Sequence, residues 1–398
     1  MTNIVSEQQL QMASEGRRTE MATWTLPAFN RQEVNEAGKL LLLDPEEIDD
    51  EVFLPAMEVI NNHRSSHSYP LNTFQVTLRS YARVIDQNAL IAQRIKRMSS
   101  IRAKLERFPH IRLASMQDLG GCRAVVQSIT HVRRLDRRYW ESGIKHDLEK
   151  VNDYIDEPKE SGYRGIHRVY KYVSDKNVAY NGLKIEIQLR SRYQHAWATA
   201  VETVGTFVQQ ALKSSQGHEE WLRFFALMGT AIADRERCEP VPGTPTNRVE
   251  LRKELRQLGS RLKVVSRLRS YQRTIRAVSD DTSKRPDTHY YLMELNPATT
   301  ELTITGFGRR ELADASEEYL RAEKGNEIDA VLVSVDSLTA LQRAYPNYFA
   351  DTSMFIALLQ QTLSRMPARI AFRPPRPIGS ASIAPALPPT EPKKDESN

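Results

Sequence analysis

Six cations crowd into residues 94–107, "RIKRMSSIRAKLER": Arg94, Lys96, Arg97, Arg102, Lys104 and Arg107. On a helix, Ser100, Lys104 and Arg107 stand at i, i+4 and i+7 and share a face. Such a face suits a triphosphate, although the composition equally suits a solvated basic helix. Just beyond, in "DLGGCRAVV", Asp118 precedes two glycines and a β-rich run. A carboxylate at a strand edge is a natural Mg²⁺ ligand, because Mg²⁺ prefers oxygen donors and keeps water for substrate phosphates. Arg123 on that strand can stack on a base or pair with phosphate. A turn aspartate and a surface arginine are the plainer alternative.

Two further clusters follow in "DYIDEPKESGYRGIH" and "GLKIEIQLRS". In the first, Lys159, Tyr163 and His167 gather around Gly162 and Gly165. Glycine permits close approach or unusual dihedral angles, and an exposed ring in such a loop can act as a stacking platform for a base. An ordinary turn with a locally packed tyrosine would read the same way. The second alternates strictly, so Glu186, Gln188 and Arg190 share the polar face of a strand. That face is either simply solvated, or Glu186 completes a metal site with Asp118 or accepts a proton from an attacking hydroxyl. Taken in order, the four clusters describe a site for two nucleotides, one of them a metal-bound triphosphate.

The elements that must position these groups can be read from periodicity. Acids at the start of "DPEEIDDEVFLPAMEVINNH" predict a helix from Asp44 to His63. Phe74, Leu78, Tyr81 and Ile85 predict another from Leu71 to Arg94. Strands are expected at "GGCRAVVQS" and "GLKIEIQLRS", then helices from Arg192 and His218. "CEPVPGTPTN" is a break. After it, Asn247 caps a predicted basic helix running to about Val278, with a stripe of Leu251, Leu255, Leu258, Leu262 and Val265. Beyond "SDDTSKRPDT", "HYYLMELN" and "ELTITGF" read as paired strands, followed by a helix, the strand "DAVLVSVD" and further helices.

Composition sets the outer limits. With 40% hydrophobic and 27% charged residues, most of the 398-residue chain should fold as a soluble globule. A net charge of +6 permits a polyanionic partner without requiring one. Two distant cysteines, Cys122 and Cys238, exclude a cysteine-rich zinc site and a disulfide framework. The start lacks a signal-peptide core and no apolar run suits a bilayer, so a soluble cytoplasmic protein is expected.

Together the motifs resemble the RelA/SpoT-type nucleotide pyrophosphokinases over roughly residues 65 to 235. The matching residues are Arg94 to Arg107 in the spacing R-x-K-x-x-x-S-I-x-x-K-x-x-R; Asp118, Gly121 and Arg123; Asp153, Tyr154, Pro158, Lys159, Gly162, Tyr163 and His167; and Glu186, Gln188 and Arg190 before "HAWATAVE". The resemblance implies an α+β fold, a mixed β-sheet flanked by helices of nucleotidyltransferase type. It implies transfer of the β,γ-diphosphate of ATP to a ribose 3′-hydroxyl. In that family Arg94 and Arg123 would sandwich adenine, while Lys96, Ser100, Lys104 and Arg107 would hold phosphates. Asp118 and Glu186 would bind Mg²⁺, with Glu186 helping to deprotonate the acceptor. Tyr163 would stack on the acceptor base, and Lys159, His167, Gln188 and Arg190 would complete the acceptor side. Ser161 stands where the family usually has Asn, and Gly165 where it has Ser or Thr.

The resemblance also bears on organisation. Residues 1–64 are an N-terminal helical and loosely ordered segment, 65–237 the synthetase-like domain, 246–283 a basic connector helix, 284–368 a small α/β C-terminal module and 369–398 a disordered tail. His146 and Asp147 lie inside the synthetase-like region, so no hydrolase activity is expected. The extension resembles that of the CapRel-like fused toxin–antitoxin proteins, in which a Y-x-x-Y pair blocks the nucleotide site. Here that pair is Tyr345 and Tyr348, which core packing would also explain. This second resemblance implies the 3′ CCA end of tRNA as acceptor and a phage protein as a partner of the C-terminal module. A GDP- or GTP-using alarmone synthetase and a silent nucleotide or RNA sensor are the competing readings.

Overall fold

A computed structural model describes residues 24–364, except 44–47, 212–217, 275, 280–284, 286, 297, 324–327, 336 and 350. The expected loose N-terminus up to residue 23 and the expected tail from 369 lie outside the described residues.

Helices α1 (Arg31–Leu40), α2 (Asp50–Ser66) and α3 (Ser68–Ile85) lead into strand β1 (Leu90–Ile95) and helix α4 (Met98–Arg107). Asn30 starts α1 through a capping box with Glu33, satisfying amide groups that the helix leaves open. Strand β2 (Gly120–Val126), helix α5 (Ile129–Glu141), and strands β3 (Asp147–Asp153), β4 (Ile166–Lys171) and β5 (Lys184–Ser191) follow. Four helices come next: α6 (Arg192–Ala211), α7 (His218–Glu236), α8 (Arg248–Arg261) and α9 (Val264–Thr274). The chain then adds β6 (Arg276–Ser279), β7 (Thr288–Asn296), β8 (Glu301–Gly308), α10 (Leu312–Glu323), β9 (Asp329–Ser334), α11 (Leu338–Ala344) and α12 (Ser353–Ser364).

Among the described residues, nine strands form one mixed sheet in the order β3-β4-β5-β2-β1-β9-β7-β8-β6. The β2/β5 and β6/β8 pairs are parallel and the other pairs antiparallel. This is the expected α+β architecture. The sheet runs without a break across the position expected to separate the synthetase-like piece from the C-terminal module, because β9 pairs with β1 at Gln93↔Ser334 and Arg94↔Val333.

Register decides which side chains meet. Arg94 lies opposite Gly121, which lies opposite Glu186; Arg123 lies opposite Gln188, which lies opposite His167. Laterally paired residues point to the same side of a sheet, as do residues two apart on one strand. Arg94, Arg123, His167, Glu186, Gln188 and Arg190 therefore share one face. Cys122, Ala124, Ile185, Ile187 and Leu189 fill the other, packed with Leu71, Phe74 and Leu78 of α3 and Val132 and Leu135 of α5. A separate helical core joins α6 to α9, and α12 enters it through Phe355, Ile356, Leu358 and Leu359.

Three elements depart from expectation. The helix expected to reach Arg94 ends at Ile85, and Leu90–Ile95 is a strand. Its partners on both sides make that run read as unbroken apolar and polar mixture, without alternation. The single connector helix is two helices, because Lys263 adopts a φ of 50°. Leu255 and Leu258 before the break and Val264 and Leu268 after it all bury in the helical core. Residues near Val278 form β6 instead of helix. Strand β3 gave no alternation signal because it lies at the sheet edge with its first residues exposed.

The loop before β4 is held by close backbone contact. Gly162 has a φ of 93°, and a Cβ there would lie 2.8 Å from the Phe225 carbonyl oxygen of α7. A Cβ on Gly229, also in α7, would lie 2.8 Å from Gly162 Cα. Alanine normally favours a helix over glycine by about 1 kcal/mol, but overpacking at such contact costs about 1–3 kcal/mol. Gly229→Ala is therefore expected to lower the urea midpoint, against the helix trend; an unchanged or higher midpoint would refute this packing account.

Candidate active site

The donor half is built on β1, β2 and α4. Arg94 and Arg123 project from neighbouring strands on the same face. Lys96 lies in the turn from β1 to α4, its amide bonded to the Leu119 carbonyl. Lys96 Nζ and Lys104 Nζ each donate to Asp118, one to each carboxylate oxygen, at 2.8 Å. Burial pushes the Asp118 carboxyl up, but the two ammonium groups outweigh it and hold the group below its ordinary range. Burial also lowers Lys96, which Arg94 and Lys104 crowd with like charge. Ser100 is half-buried on α4, while Arg107 is exposed and leans over the Phe108 ring.

The acceptor half is a closed hydrogen-bonded ring. Arg190 donates to the Tyr163 hydroxyl oxygen at 2.7 Å, and the Tyr163 hydroxyl contacts His167 Nε2. His167 Nδ1 donates to Glu186 Oε1 at 2.8 Å, since a carboxylate can only accept. Gln188 Nε2 donates to Glu186 Oε2 at 2.6 Å, and Arg190 donates to Gln188 Oε1 at 2.9 Å. Five of the expected site residues are thus bonded to one another, although Arg190 Nε and Nη1 are buried with no hydrogen-bond partner among the described residues. Burial raises the Glu186 carboxyl, yet its bonds and charge contact with His167, aided by Gln188, bring it below the ordinary range. A carboxylate held this low is a poor proton acceptor at neutral pH. Burial keeps the Tyr163 hydroxyl protonated by pushing it up.

The expectation of an exposed Tyr163 ring between freely hinging glycines is corrected here. The ring is half-buried. Its edges meet Tyr154, His167 and Trp197, and the Arg190 guanidinium lies 5.0 Å from its centroid. Gly162 serves the contact with α7 described above. Lys159 Nζ sits 4.3 Å from the Tyr154 centroid and 5.4 Å from that of Tyr163. Lys159 also feels Glu186 and the charges of Arg107 and Lys104, with burial the main influence lowering it. The two halves therefore converge on one space.

The donor set fits Mg²⁺. Asp118 and Glu186 are near enough for the charge of one to raise the other, and two hard carboxylates with phosphate and water filling the remaining positions suit that ion. Among the described residues no cluster of three or more His, Cys, Asp or Glu could hold a metal. Any metal here must therefore displace the lysine, histidine or glutamine partners of these carboxylates.

Tyr345 and Tyr348 lie against the donor half, and are also the core residues that packing alone would predict. They are 4% and 2% exposed. Arg123 donates to the Ala344 carbonyl and its guanidinium stands 5.3 Å from the Tyr345 centroid. The Tyr345 hydroxyl donates to the Gln93 carbonyl at 3.1 Å, and Arg97 donates to the Tyr348 hydroxyl at 3.1 Å. Arg97 also pairs with Asp329. Glu323 of α10 accepts from the Met98 amide at the start of α4 (2.9 Å) and from the buried Arg64 (2.8 Å). Sequence reading missed Arg64, Glu323 and Asp329, whose contacts across the β1/β9 junction join residues more than two hundred positions apart and leave no local pattern.

A family profile described as "Region found in RelA / SpoT proteins" matches residues 93–206, a span that contains both halves but not Tyr345 or Tyr348. GTP pyrophosphokinase YjbM of Bacillus subtilis (strain 168) is 31% identical over 113 residues, which are 27% of this chain and 52% of that protein. The chain thus spans about half the length of that curated relative. A GTP pyrophosphokinase family protein from Streptococcus pneumoniae aligns over 42% of this chain and 85% of its own, with 22% identity and a TM-score of 0.34. Small alarmone synthetase 1 of Bacillus subtilis, bound to its product pppGpp, aligns over 41% and 87% with 21% identity and a TM-score of 0.33. Among the described residues, no helix is long and apolar enough to cross a membrane.

Asp118 carries a testable pH signature. Its carboxyl lies below the unfolded value of about 3.9, so its stabilisation is present above that pH and is lost as pH falls through the folded value. Asp118→Asn should cost about 1–3 kcal/mol at pH 7, the range for a charged hydrogen-bonding group, and a smaller amount at pH 3, where that stabilisation has begun to be lost. Urea melts of both proteins check this; an equal cost at both pH values would remove the ion-pair account.

Proposed function

We propose that this chain, whose residues 93–206 are a RelA/SpoT region, transfers the β,γ-diphosphate of ATP to a ribose 3′-hydroxyl. The observation that carries this is the convergence of the cationic donor half and the acceptor ring on one sheet face. Arg94 and Arg123 bind adenine, and Lys96, Ser100, Lys104 and Arg107 take the phosphates. Mg²⁺ held by Asp118 and Glu186 would neutralise charge on the phosphates. The acceptor oxygen bonds to the β-phosphorus, the bond to the α-phosphate oxygen breaks, and AMP leaves. Lys159 and His167 orient the acceptor, and Tyr163 stacks on its base once the ring opens. Glu186, released from His167, takes the hydroxyl proton. Phosphoryl transfer asks chiefly for such positioning and charge neutralisation.

The acceptor we favour is the 3′ CCA end of tRNA, whose modification would stop aminoacylation and translation. The chain is then a toxin that restrains itself and is released in phage defence by a partner of its C-terminal module. Tyr345 supports this reading, because it lies on the arginine that would stack on adenine. The similarity to YjbM favours a second reading, a guanine-nucleotide pyrophosphokinase.

γ-Labelled ATP supplied with deacylated tRNA, or with GDP and GTP, separates these readings. Label on tRNA is expected, rising at least tenfold in Tyr345→Ala/Tyr348→Ala. Label on guanine nucleotides alone selects the second reading, and no label even in the double variant indicates a silent sensor. Tyr163→Ala should abolish transfer; retained activity would remove its stacking role.

A further inference from the structure

A cavity of about 530 Å³ lies beside the two halves, bounded by α6 on one side, α11 and the start of α12 on the other, and the ends of β1 and β2. Its volume falls in the range of small-molecule sites. The α6 wall carries Arg192, His195 and Thr199, three positions on one helical face, and the opposite wall carries Arg343, Thr352 and Phe355.

Three of these side chains have a polar atom with no hydrogen-bond partner among the described residues: His195 Nδ1, Thr199 Oγ1 and Thr352 Oγ1. All three residues are at least nine-tenths buried, at 9%, 3% and 1% exposure. Buried polar atoms are ordinarily satisfied, and each exception calls for a ligand or another cause. The nearest partner of His195 Nε2 is the Arg343 carbonyl, at 3.4 Å, which can only accept. The ring is neutral, since burial holds its pKa far below the ordinary value, so Nδ1 is an acceptor lacking a donor. Arg192 and Arg343 are exposed, and among the described residues neither pairs with a carboxylate. The two acids in the wall are already engaged: Asp86 accepts the Asn88 and Gln127 amides, and Asp351 the Ser353 amide. Leu90, Val125 and Phe355 supply apolar surface for a ring.

We propose that this cavity binds a purine nucleoside monophosphate, its phosphate between Arg192 and Arg343 and its amino-bearing base against His195 and the apolar wall. AMP, the leaving group of the proposed transfer, has this chemistry, and to that extent the inference rests on the proposed reading. One wall belongs to the segment that carries Tyr345, between Arg343 and Pro346. His195 and Arg123 meet its consecutive carbonyls at Arg343 and Ala344. The complete site therefore exists only with that segment seated. A ligand that needs both walls shifts the equilibrium toward the seated form, so the occupant locks the chain and does not trigger it.

Calorimetry on the full chain, with AMP, GMP and inorganic phosphate as probes, tests this without any transfer reaction, so a chain inert in transfer still gives an answer. AMP should bind. Arg192→Ala and Arg343→Ala should each weaken it at least tenfold, a larger loss than Arg94→Ala causes. Amide exchange over residues 338–349 should slow when AMP is present. No binding by AMP or GMP, or phosphate binding as tightly as AMP, would overturn the site. Loss of AMP binding in Arg94→Ala would place the ligand in the donor half instead. Faster exchange with AMP would overturn the locking role.

Discussion

Strand β1 pairs with β9 through only two residue pairs, and the rest of the C-terminal arrangement depends on that seam. It joins a five-stranded sheet carrying the candidate site to a four-stranded one, so nine strands become a single sheet. Because Arg94 is itself one of the paired residues, whatever follows β9 emerges beside the donor half. Tyr345 and Tyr348 come about a dozen residues after the end of β9 and reach Arg123 and Arg97. Helix α12 then returns into the helical core, so the intervening segment is tethered at both ends.

The seam sets buried polar contacts beside an apolar cluster in which Ala92 of β1 packs with Val331 and Val333 of β9, Tyr345 and Tyr348. Arg64 is 2% exposed and shares Glu323 with the Met98 amide, while Arg97 is divided between Asp329 and Tyr348. Buried ion pairs gain little net stability, because desolvation offsets their attraction, but separating one partner from the other is costly. Such contacts specify one docked arrangement more than they strengthen it. Under the proposed reading that suits a restraint, which must be particular in geometry yet reversible. An equally large apolar seam would be harder to open.

The acceptor half shows the same economy of partners. Tyr163, His167, Glu186, Gln188 and Arg190 are linked in a loop of hydrogen bonds, as Asp118 is held by two lysines. A site whose charged groups are mutually neutralised is stable without substrate. An entering phosphate or ribose must exchange those bonds for its own, and the groups are already within reach.

The amino-acid sequence by itself determined the local chemistry. Alternation placed Glu186, Gln188 and Arg190 on one face, helical spacing placed Lys104 and Arg107 on one helix, and the order of the motifs pointed to a two-nucleotide site. These features depend on residues a few positions apart, where backbone geometry alone dictates neighbours. Less of the element plan was legible: β1 was hidden within a helical period, and the break at Lys263 had no glycine or proline to mark it. The tertiary structure alone decided that Tyr163 is enclosed, that Glu323 and Asp329 reach α4 and Arg97, and that Tyr345 lies on Arg123. Those contacts join residues as much as 259 positions apart, and no local periodicity encodes a pairing that only the register of a nine-stranded sheet brings together.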